Sequence, residues 1–496
     1  MPSFDAIVIG GGPNGLACAA RLAMKGARVT LLEAGPACGG GAGVREFAPG
    51  FFAPALAHTT RGIDARVMAG MGLERHGLRF HPALPTVVLG ADPLTVQRGK
   101  TAGPDAAAYA ALMAKLGEFA RVLAPFRGLT PPRLTSSGNE WGKLARFGLG
   151  IRALGKQDFR EFLRMILINV ADVAEDELSD DRLKGLLAFD ATLGAWLGPR
   201  SPNSLILLLN HLACGLDNLL PVGGMAAAAT AMVRAAEAAG VTVRFDAPVA
   251  QVLVTGDRAV GVQLASGEVL TADKVISAIN PRITFQKLVG PRHLDAGFFA
   301  RTAHIRSRGA AAKLHLALKT APDVPDIRAR MVVAPSVRAV EDAFNPVKYG
   351  EVPKAPVLEF VLPSVHDAGM APEGCHSLSA IVQFAPHQPK AGLEAARAEM
   401  LQNTLSVLDN TVKRESILHA ELLMPQDIEA RFGMIGGNWH HGELAVEQML
   451  FLRPLQETAQ YGTPLPGLYL AGAGSHPGGG INGSAGWNAA EKVLHE

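Results

Sequence analysis

Gly10, Gly12 and Gly15 stand in G-x-G-x-x-G spacing inside "FDAIVIGGGPNGLACAARLAMKGARVTLLEA", and Glu33 closes that stretch. The first glycine of such a set permits a tight turn and the second lets backbone approach a pyrophosphate. The third lets a helix close on a strand. A carboxylate at the position of Glu33 accepts hydrogen bonds from a ribose diol, and no basic residue stands directly beside it to welcome a 2′-phosphate. The ligand these residues would hold is an adenine dinucleotide without that phosphate, FAD or NAD.

The elements that must carry these residues follow from the apolar pattern. Phe4–Ile9 reads as a strand, about Asn14 to Lys25 as a helix ended by Gly26, and Arg28–Glu33 as a second strand, a βαβ unit. A domain for NAD would continue with regular βα units. Here a second glycine cluster, Gly39, Gly40 and Gly41, follows at once, which suits an extended FAD wrapped by several backbone segments. No second G-x-G-x-x-G stands between a strand and a helix, so electrons would leave by a route other than a dedicated NAD(P)H site, such as dioxygen or a quinone.

A third glycine-rich stretch lies between Gly472 and Gly486. Leu468, Tyr469 and Leu470 before it suit a buried strand, and Ala489, Ala490, Val493 and Leu494 after it suit a helix. Strand, glycine turn and helix is a layout that lets N–H groups approach a ligand closely.

Length and composition set the outer limits. A chain of 496 residues can bury a large core. With 47 Lys and Arg against 45 Asp and Glu, the net charge of +2 gives no case for nucleic acid as a partner. Cys18, Cys38, Cys214 and Cys375 form no C-x-x-C pair, which fits a reducing, cytoplasmic setting and excludes a dithiol redox centre of the usual spacing. The N-terminus carries no signal-peptide pattern, and no uncharged apolar run is long enough to span a membrane. "SLILLLNHLACGL" (204–216) reads instead as a buried helix lining an apolar pocket.

The stretch 113–165 is helical in pattern and basic. Trp141, Leu144, Phe147, Ile151 and Leu154 fall at helical spacing with Lys143, Arg146 and Lys156 largely off that stripe. Two readings stand: peripheral contact with an anionic membrane through 141–165, or an ordinary half-buried cap helix. "VGGMAAAATAMVRAAEAAG" predicts a strong helix, and 241–279 a series of short strands with turns at Gly256-Asp257 and Ser266-Gly267. "AAAKLHLAL" and "CHSLSAIVQFAP" read as strands of a second mixed region.

In this combination the chain resembles the phytoene-desaturase-like branch of the FAD-dependent amine-oxidase superfamily. Within it, the chain is similar to the subgroup labelled pyridine nucleotide-disulfide oxidoreductase domain-containing protein 2, whose label misleads where no cysteine pair is present. The resemblance rests on "IVIGGGPNGLACAARLA", "LLEAGPACGGGAGVREFAPGF", "LPVGGMAAAATAMVRAAEAAGVTVRFDAPV", "VISAINPRITFQKLVG", "GGNWHHGELAVEQMLFLRP" and "GLYLAGAGSHPGGGINGSAGWNAA". It implies an α/β fold in which a Rossmann-like FAD-binding domain of glutathione reductase/amine oxidase type (1–75, 220–300, 436–496) interweaves with a mixed-sheet substrate domain and helical cap (76–219, 301–435).

By that resemblance Gly10, Gly12, Pro13, Asn14 and Gly15 cradle the FAD pyrophosphate and Glu33 holds the adenosine ribose. Gly39, Gly40 and Gly41 run along the ribityl and pyrophosphate, and the backbone of Val249 meets the adenine edge. Gly474, His476, Gly479, Gly480, Ile481 and Asn482 lie near the isoalloxazine, with the N-terminus of the last helix directed at its N1–C2=O region. Two departures stand out: the first arginine after the paired glycines is Arg45, too far along for an expected flavin contact, and Ala473 replaces an acidic residue that would hold ribityl hydroxyls.

The reaction the resemblance implies is loss of two hydrogens from adjacent carbons of a hydrophobic, carotenoid- or other lipid-like substrate, one as hydride to flavin N5 and one as a proton. His476 is the leading candidate for a catalytic or flavin-tuning group, or it shapes the turn. His441 and Asn438 are pocket candidates, with packing and turn-capping as their alternatives. His440 and His441 are adjacent and face opposite sides of an extended segment, and no other histidines have metal-ligand spacing, so no metal is expected. An amine or amino-acid oxidase, and a non-catalytic lipid-binding escort on the same fold, are the competing readings.

Overall fold

The computed structural model describes residues 3–131, 142, 148–149 and 152–496. Strands β1 (Phe4–Ile9) and β2 (Val29–Leu32) flank helix α1 (Pro13–Ala23), the expected βαβ unit, with the helix opening at Pro13 rather than Asn14. Proline fits there because the first helical N–H has no partner within the helix. Ala6–Ile9 of β1 and all four residues of β2 are buried, as in parallel strands covered on both faces. β1 lies between β2 and the C-terminal half of β11 (Val269–Ser277), all parallel, with β8 (Thr242–Arg244) beyond β2 and β17 (Leu468–Leu470) beyond β11. The first half of β11 turns into an antiparallel meander with β9 (Val249–Thr255) and β10 (Arg258–Leu264).

The second sheet has eight strands in the order β16-β12-β15-β14-β13-β5-β6-β7. They are β5 (Thr86–Val88), β6 (Leu94–Gln97), β7 (Lys100–Thr101), β12 (Ala311–Leu318), β13 (Arg330–Val333), β14 (Val357–Val361), β15 (His376–Gln383) and β16 (Ile417–Leu423). Successive residues of a strand point to opposite faces. Leu314, Leu316, Leu358, Phe360 and Val382 therefore share one face, in one apolar cluster with Ala396 and Met400 of a covering helix (Leu393–Val407). Lys313, His315, Glu359, Arg330, Ser377 and Ser379 share the other, and all six are buried. The hairpin β3 (Val44–Ala48) and β4 (Phe51–Pro54) packs Phe51 against Ala317 on that second face.

The cap is helical: α2 (Ala106–Arg127), α3 (Gly155–Leu167) and α4 (Ser204–Leu212) contribute to one apolar cluster. The expected buried helix at 204–216 is thus α4. Of the basic amphipathic segment, Trp141, Lys143, Leu144, Arg146, Phe147 and Ile151 lie outside the described residues. Within α3, Phe162 and Met165 face inward, while Phe159, Leu163 and Leu167, spaced by four, are 39%, 41% and 61% exposed. Helix α5 (Gly224–Ala238) packs on α1, as does the last helix, α6 (Ser484–Leu494). No helix among the described residues is long and apolar enough to cross a membrane.

Candidate functional site

The three N-terminal glycines stand in different surroundings. Gly10 has φ +101°, outside the range other residues favour, and hands its N–H to the Leu32 carbonyl at 2.8 Å. A Cβ on Gly15 would collide with the Gly10 carbonyl, so only glycine lets α1 close on β1. Gly12 differs: nothing lies within 4 Å of where its Cβ would be. That open space sits at the N-terminus of α1, which no side chain caps, so free N–H groups and the positive end of the helix face it. Such a space suits a phosphate.

Glu33 stands at the end of β2 with both carboxylate oxygens oriented by backbone. Oε2 accepts from Gly11 N–H at 2.7 Å and Oε1 from Gly35 N–H at 2.9 Å. Each oxygen keeps a lone pair for a ribose hydroxyl. The Glu33 carbonyl accepts from Ala247 N–H at 2.8 Å, which places Val249, the first residue of β9, beside the ribose end.

The second glycine cluster docks on the first. Gly39 N–H donates to Gly11 O at 2.9 Å, and a Cβ on Gly40 would lie 3.6 Å from Gly12 Cα. The carbonyl of Gly41 accepts from Ala57 N–H at 2.9 Å. Ala57, Ala42 and Ile481 share a small apolar cluster with Leu84, Leu220 and Met225, which brings in the C-terminal loop.

That loop is held on all sides. Gly474 packs so closely on Pro281, and Gly479 on the ring of His440, that a Cβ on either would clash. Gly480 has φ +125°, and its Cβ would meet the side-chain amide of Asn482. The Asn482 carbonyl accepts from Asp64 N–H at 3.0 Å, and its side-chain oxygen accepts from Ser484 N–H at 3.0 Å. Asn14, expected at the pyrophosphate, directs its side-chain oxygen to Gly486 N–H at 3.4 Å, so it ties α1 to α6.

His476 sits at a joint. Its Nε2 lies 2.6 Å from the carbonyl of Phe126 at the end of α2, and its own carbonyl accepts from the Tyr461 hydroxyl at 3.1 Å. Burial pushes its pKa down to about 4, outweighing the bond to Phe126. The neutral ring donates Nε2–H to Phe126, leaving Nδ1 as acceptor. Asn488 and Arg66 donate to the next two carbonyls, of Arg127 and Gly128, both at 2.9 Å, so three side chains satisfy the end of α2.

The segment 438–445 separates its two histidines. Asn438, His440 and Glu443 border a small cleft whose other walls include Trp196, Leu197, Leu207 and Leu444. His441 turns the other way, with a hydrogen bond to the Ile279 backbone, and burial pushes its pKa down to about 4. Asn438 spends both ends of its amide on backbone, donating to Arg308 O at 3.0 Å outside the segment and accepting from His440 N–H at 2.9 Å within it. His440, not His441, is thus the ring at the cleft.

Several groups in or beside the site are not among the site candidates read from the sequence. Arg453, 1% exposed, donates to the carbonyls of His440 at 2.7 Å, Ala473 at 2.9 Å and Glu443 at 3.1 Å, which pins the cleft segment to the C-terminal loop. One residue beyond Ala57, His58 meets the polar face of the second sheet: its Nδ1 is 3.0 Å from Lys313 Nζ and its Nε2 3.0 Å from Glu359 Oε1. Burial pushes the Lys313 amine down to about 7. Arg45 pairs with Glu421 on this face.

These residues fit FAD: an open phosphate cradle at Gly12, a backbone-oriented carboxylate at Glu33, and two further glycine segments against the first. The family profile for flavin containing amine oxidoreductase matches residues 14–494. The chain is 28% identical to a rat protein, pyridine nucleotide-disulfide oxidoreductase domain-containing protein 2, covering all of this chain and 94% of that one. It is 29% identical to hydroxyneurosporene desaturase of Cereibacter sphaeroides, over 98% of this chain and 97% of the relative. An oxidoreductase from Methanosarcina mazei superposes with a TM-score of 0.63 at 16% identity, over 99% of this chain and 100% of that one, a likeness of fold. With its glycine segments gathered as this fold requires, the chain belongs to the flavin containing amine oxidoreductase family, and its cofactor is FAD.

Proposed function

We propose that this FAD-dependent oxidoreductase desaturates a hydrophobic, isoprenoid- or other lipid-like compound, with dioxygen or a quinone as final acceptor. The observation that carries the reading is the cleft: Trp196, Leu197, Leu207 and Leu444 line it, and its inner residue His440 packs on Gly479 of the C-terminal loop. The names of desaturases among the relatives support it. FAD, when bound, supplies a two-electron acceptor. One hydrogen of the substrate leaves with its electron pair and its neighbour leaves as a proton, the remaining pair forming the double bond. The proton needs a base. We assign that role to Lys313, which lies outside the cleft lining but against His58, one residue from the Ala57 that hydrogen-bonds the Gly41 carbonyl, and whose buried amine is pushed down to about 7.

Oxidation of an amine is the second reading, favoured by the Glu443 carboxylate at the cleft. That carboxylate is already engaged by Arg308 Nε at 2.8 Å and Arg306 Nε at 3.4 Å. Anaerobic bleaching of the flavin by a panel of isoprenoids, fatty acyl compounds, cyclic enones and amines decides between the two; bleaching by amines alone rejects desaturation.

We also propose that the protein meets anionic membranes through α3. Its exposed Phe159, Leu163 and Leu167 lie beside exposed Lys156, Arg160 and Arg164, the arrangement of a helix that lies in the plane of a lipid interface. A substrate of low solubility would then be taken from the bilayer in which it dissolves.

A further inference from the structure

Lys313, His58 and Glu359 form a hydrogen-bonded row in the interior, none more than 2% exposed. The second oxygen of Glu359 accepts from Arg330, whose other nitrogen reaches Asp190 at 2.5 Å; Asp190 in turn lies 3.5 Å from Arg61. The row is therefore anchored at one end by an ionised carboxylate. Burial opposes that ionisation, but Arg330 and the His58 hydrogen bond outweigh it and hold Glu359 well below the usual carboxylate range.

The geometry fixes the protons. An ionised carboxylate only accepts, so His58 carries its hydrogen on Nε2, and Nδ1 is left as an acceptor. Burial, followed by the charge of Lys313, pushes the pKa of His58 down to about 4, so the ring is neutral at pH 7. The partner of Nδ1 is Lys313 Nζ, which donates one N–H and, as a free amine, keeps its lone pair. The other charged groups facing this row are Arg45 and Arg431, both paired with Glu421, and His315 lies two residues along β12.

We propose that Glu359 and His58 are positioning residues for Lys313: the carboxylate sets the imidazole tautomer, the imidazole holds the amine by one hydrogen, and the lone pair on Nζ is presented for a proton. The inference rests on the reading of Lys313 as proton acceptor. Taking the proton converts –NH2 to –NH3+, which His58 Nδ1 still accepts from and the charge of Glu359 stabilises at one remove. Loss of that charge lowers the basicity of Lys313.

Lysine-[13Cε] and histidine-[15N] NMR on the protein saturated with FAD tests this without turnover. In the wild type one lysine signal, absent in Lys313→Met, should titrate near pH 7, and the signal lost in His58→Gln should be that of a neutral ring protonated at Nε2. In Glu359→Gln the lysine midpoint should fall by about one unit, since a favourable charge is gone. An unshifted midpoint in that variant, or a wild-type His58 protonated at Nδ1, overturns the proposal. The tautomer is read on the wild type, so the test stands even where Glu359→Gln does not fold. A protein that shows both signatures yet fails to be bleached by any compound of the panel contradicts the proton-acceptor reading and leaves the row intact.

Discussion

The backbone of Gly486 passes so close to Asn14 that a Cβ on Gly486 would collide with the Asn14 carbonyl oxygen. The first and last helices of the chain are thereby pressed together at their N-terminal ends, and the loops before them, Gly10–Gly12 and Gly479–Gly483, come to border one site. Glycine at 486 is required by this approach and by nothing local to its own helix.

Gly486→Ala should therefore force α1 and α6 apart. Overpacking of this kind costs about 1–3 kcal/mol. A lowered melting temperature, together with reduced flavin content after purification, is the expected result, read by thermal denaturation and by the flavin absorbance per protein.

Lys313→Met should leave flavin binding intact while slowing anaerobic bleaching by about 10²–10⁴-fold, the usual contribution of a general base. The wild-type rate should rise with pH through about 7 as the amine loses its proton, and the variant should lack that limb. Stopped-flow absorbance with whichever compound of the panel bleaches the flavin measures both.

Acid should destabilise the fold before it protonates the carboxylates. Burial holds His58, His211, His441 and His476 each at about 4, below the value near 6.5 of an unfolded chain. Between these values the unfolded state binds more protons than the native one, so stability rises with pH there. These groups contribute stability that is full above pH about 6.5 and is lost as pH falls through about 4. Melting temperatures measured across that window should fall steadily toward the acid end.

Leu163→Ser with Leu167→Ser should abolish co-flotation with vesicles rich in phosphatidylserine, and Lys156→Glu with Arg160→Glu should weaken it in a salt-dependent way. Both pairs are exposed, so the melting temperature should hold. Flotation of the wild type with neither anionic nor neutral vesicles would dispose of the membrane contact.

Much of the glycine-rich framework was legible because its residues are governed by local rules. The βαβ unit, the spacing of Gly10, Gly12 and Gly15, and the place of Glu33 follow from backbone geometry within one short stretch. The last strand and helix were legible for the same reason. The polar row was not: "AAAKLHLAL" reads as an apolar strand with two interruptions, and the partners of Lys313 lie far off in sequence, at His58 and, beyond it, Glu359. The signal was present as Lys313 and His315 at alternate positions, which places both on one face of a buried strand. The position of His476 hid for a related reason, since its partner is a backbone carbonyl at Phe126 that no side-chain pattern marks. Of the adjacent pair His440 and His441, alternation showed that they must face apart, but only packing against Gly479 decided which meets the cleft.

Titration of the purified protein with FAD, followed by flavin fluorescence quenching, tests the central claim most directly. The wild type should bind one FAD per chain with the resolved visible bands of a buried flavin. Gly12→Ala should keep the wild-type melting temperature, because its Cβ enters empty space, and yet lose FAD. Glu33→Gln should weaken binding by about 10–100-fold, as loss of a hydrogen bond to a charged group of about 1.5–3 kcal/mol implies. A wild type that takes up no FAD, or a Gly12→Ala variant that binds it as tightly as the wild type, would contradict the account.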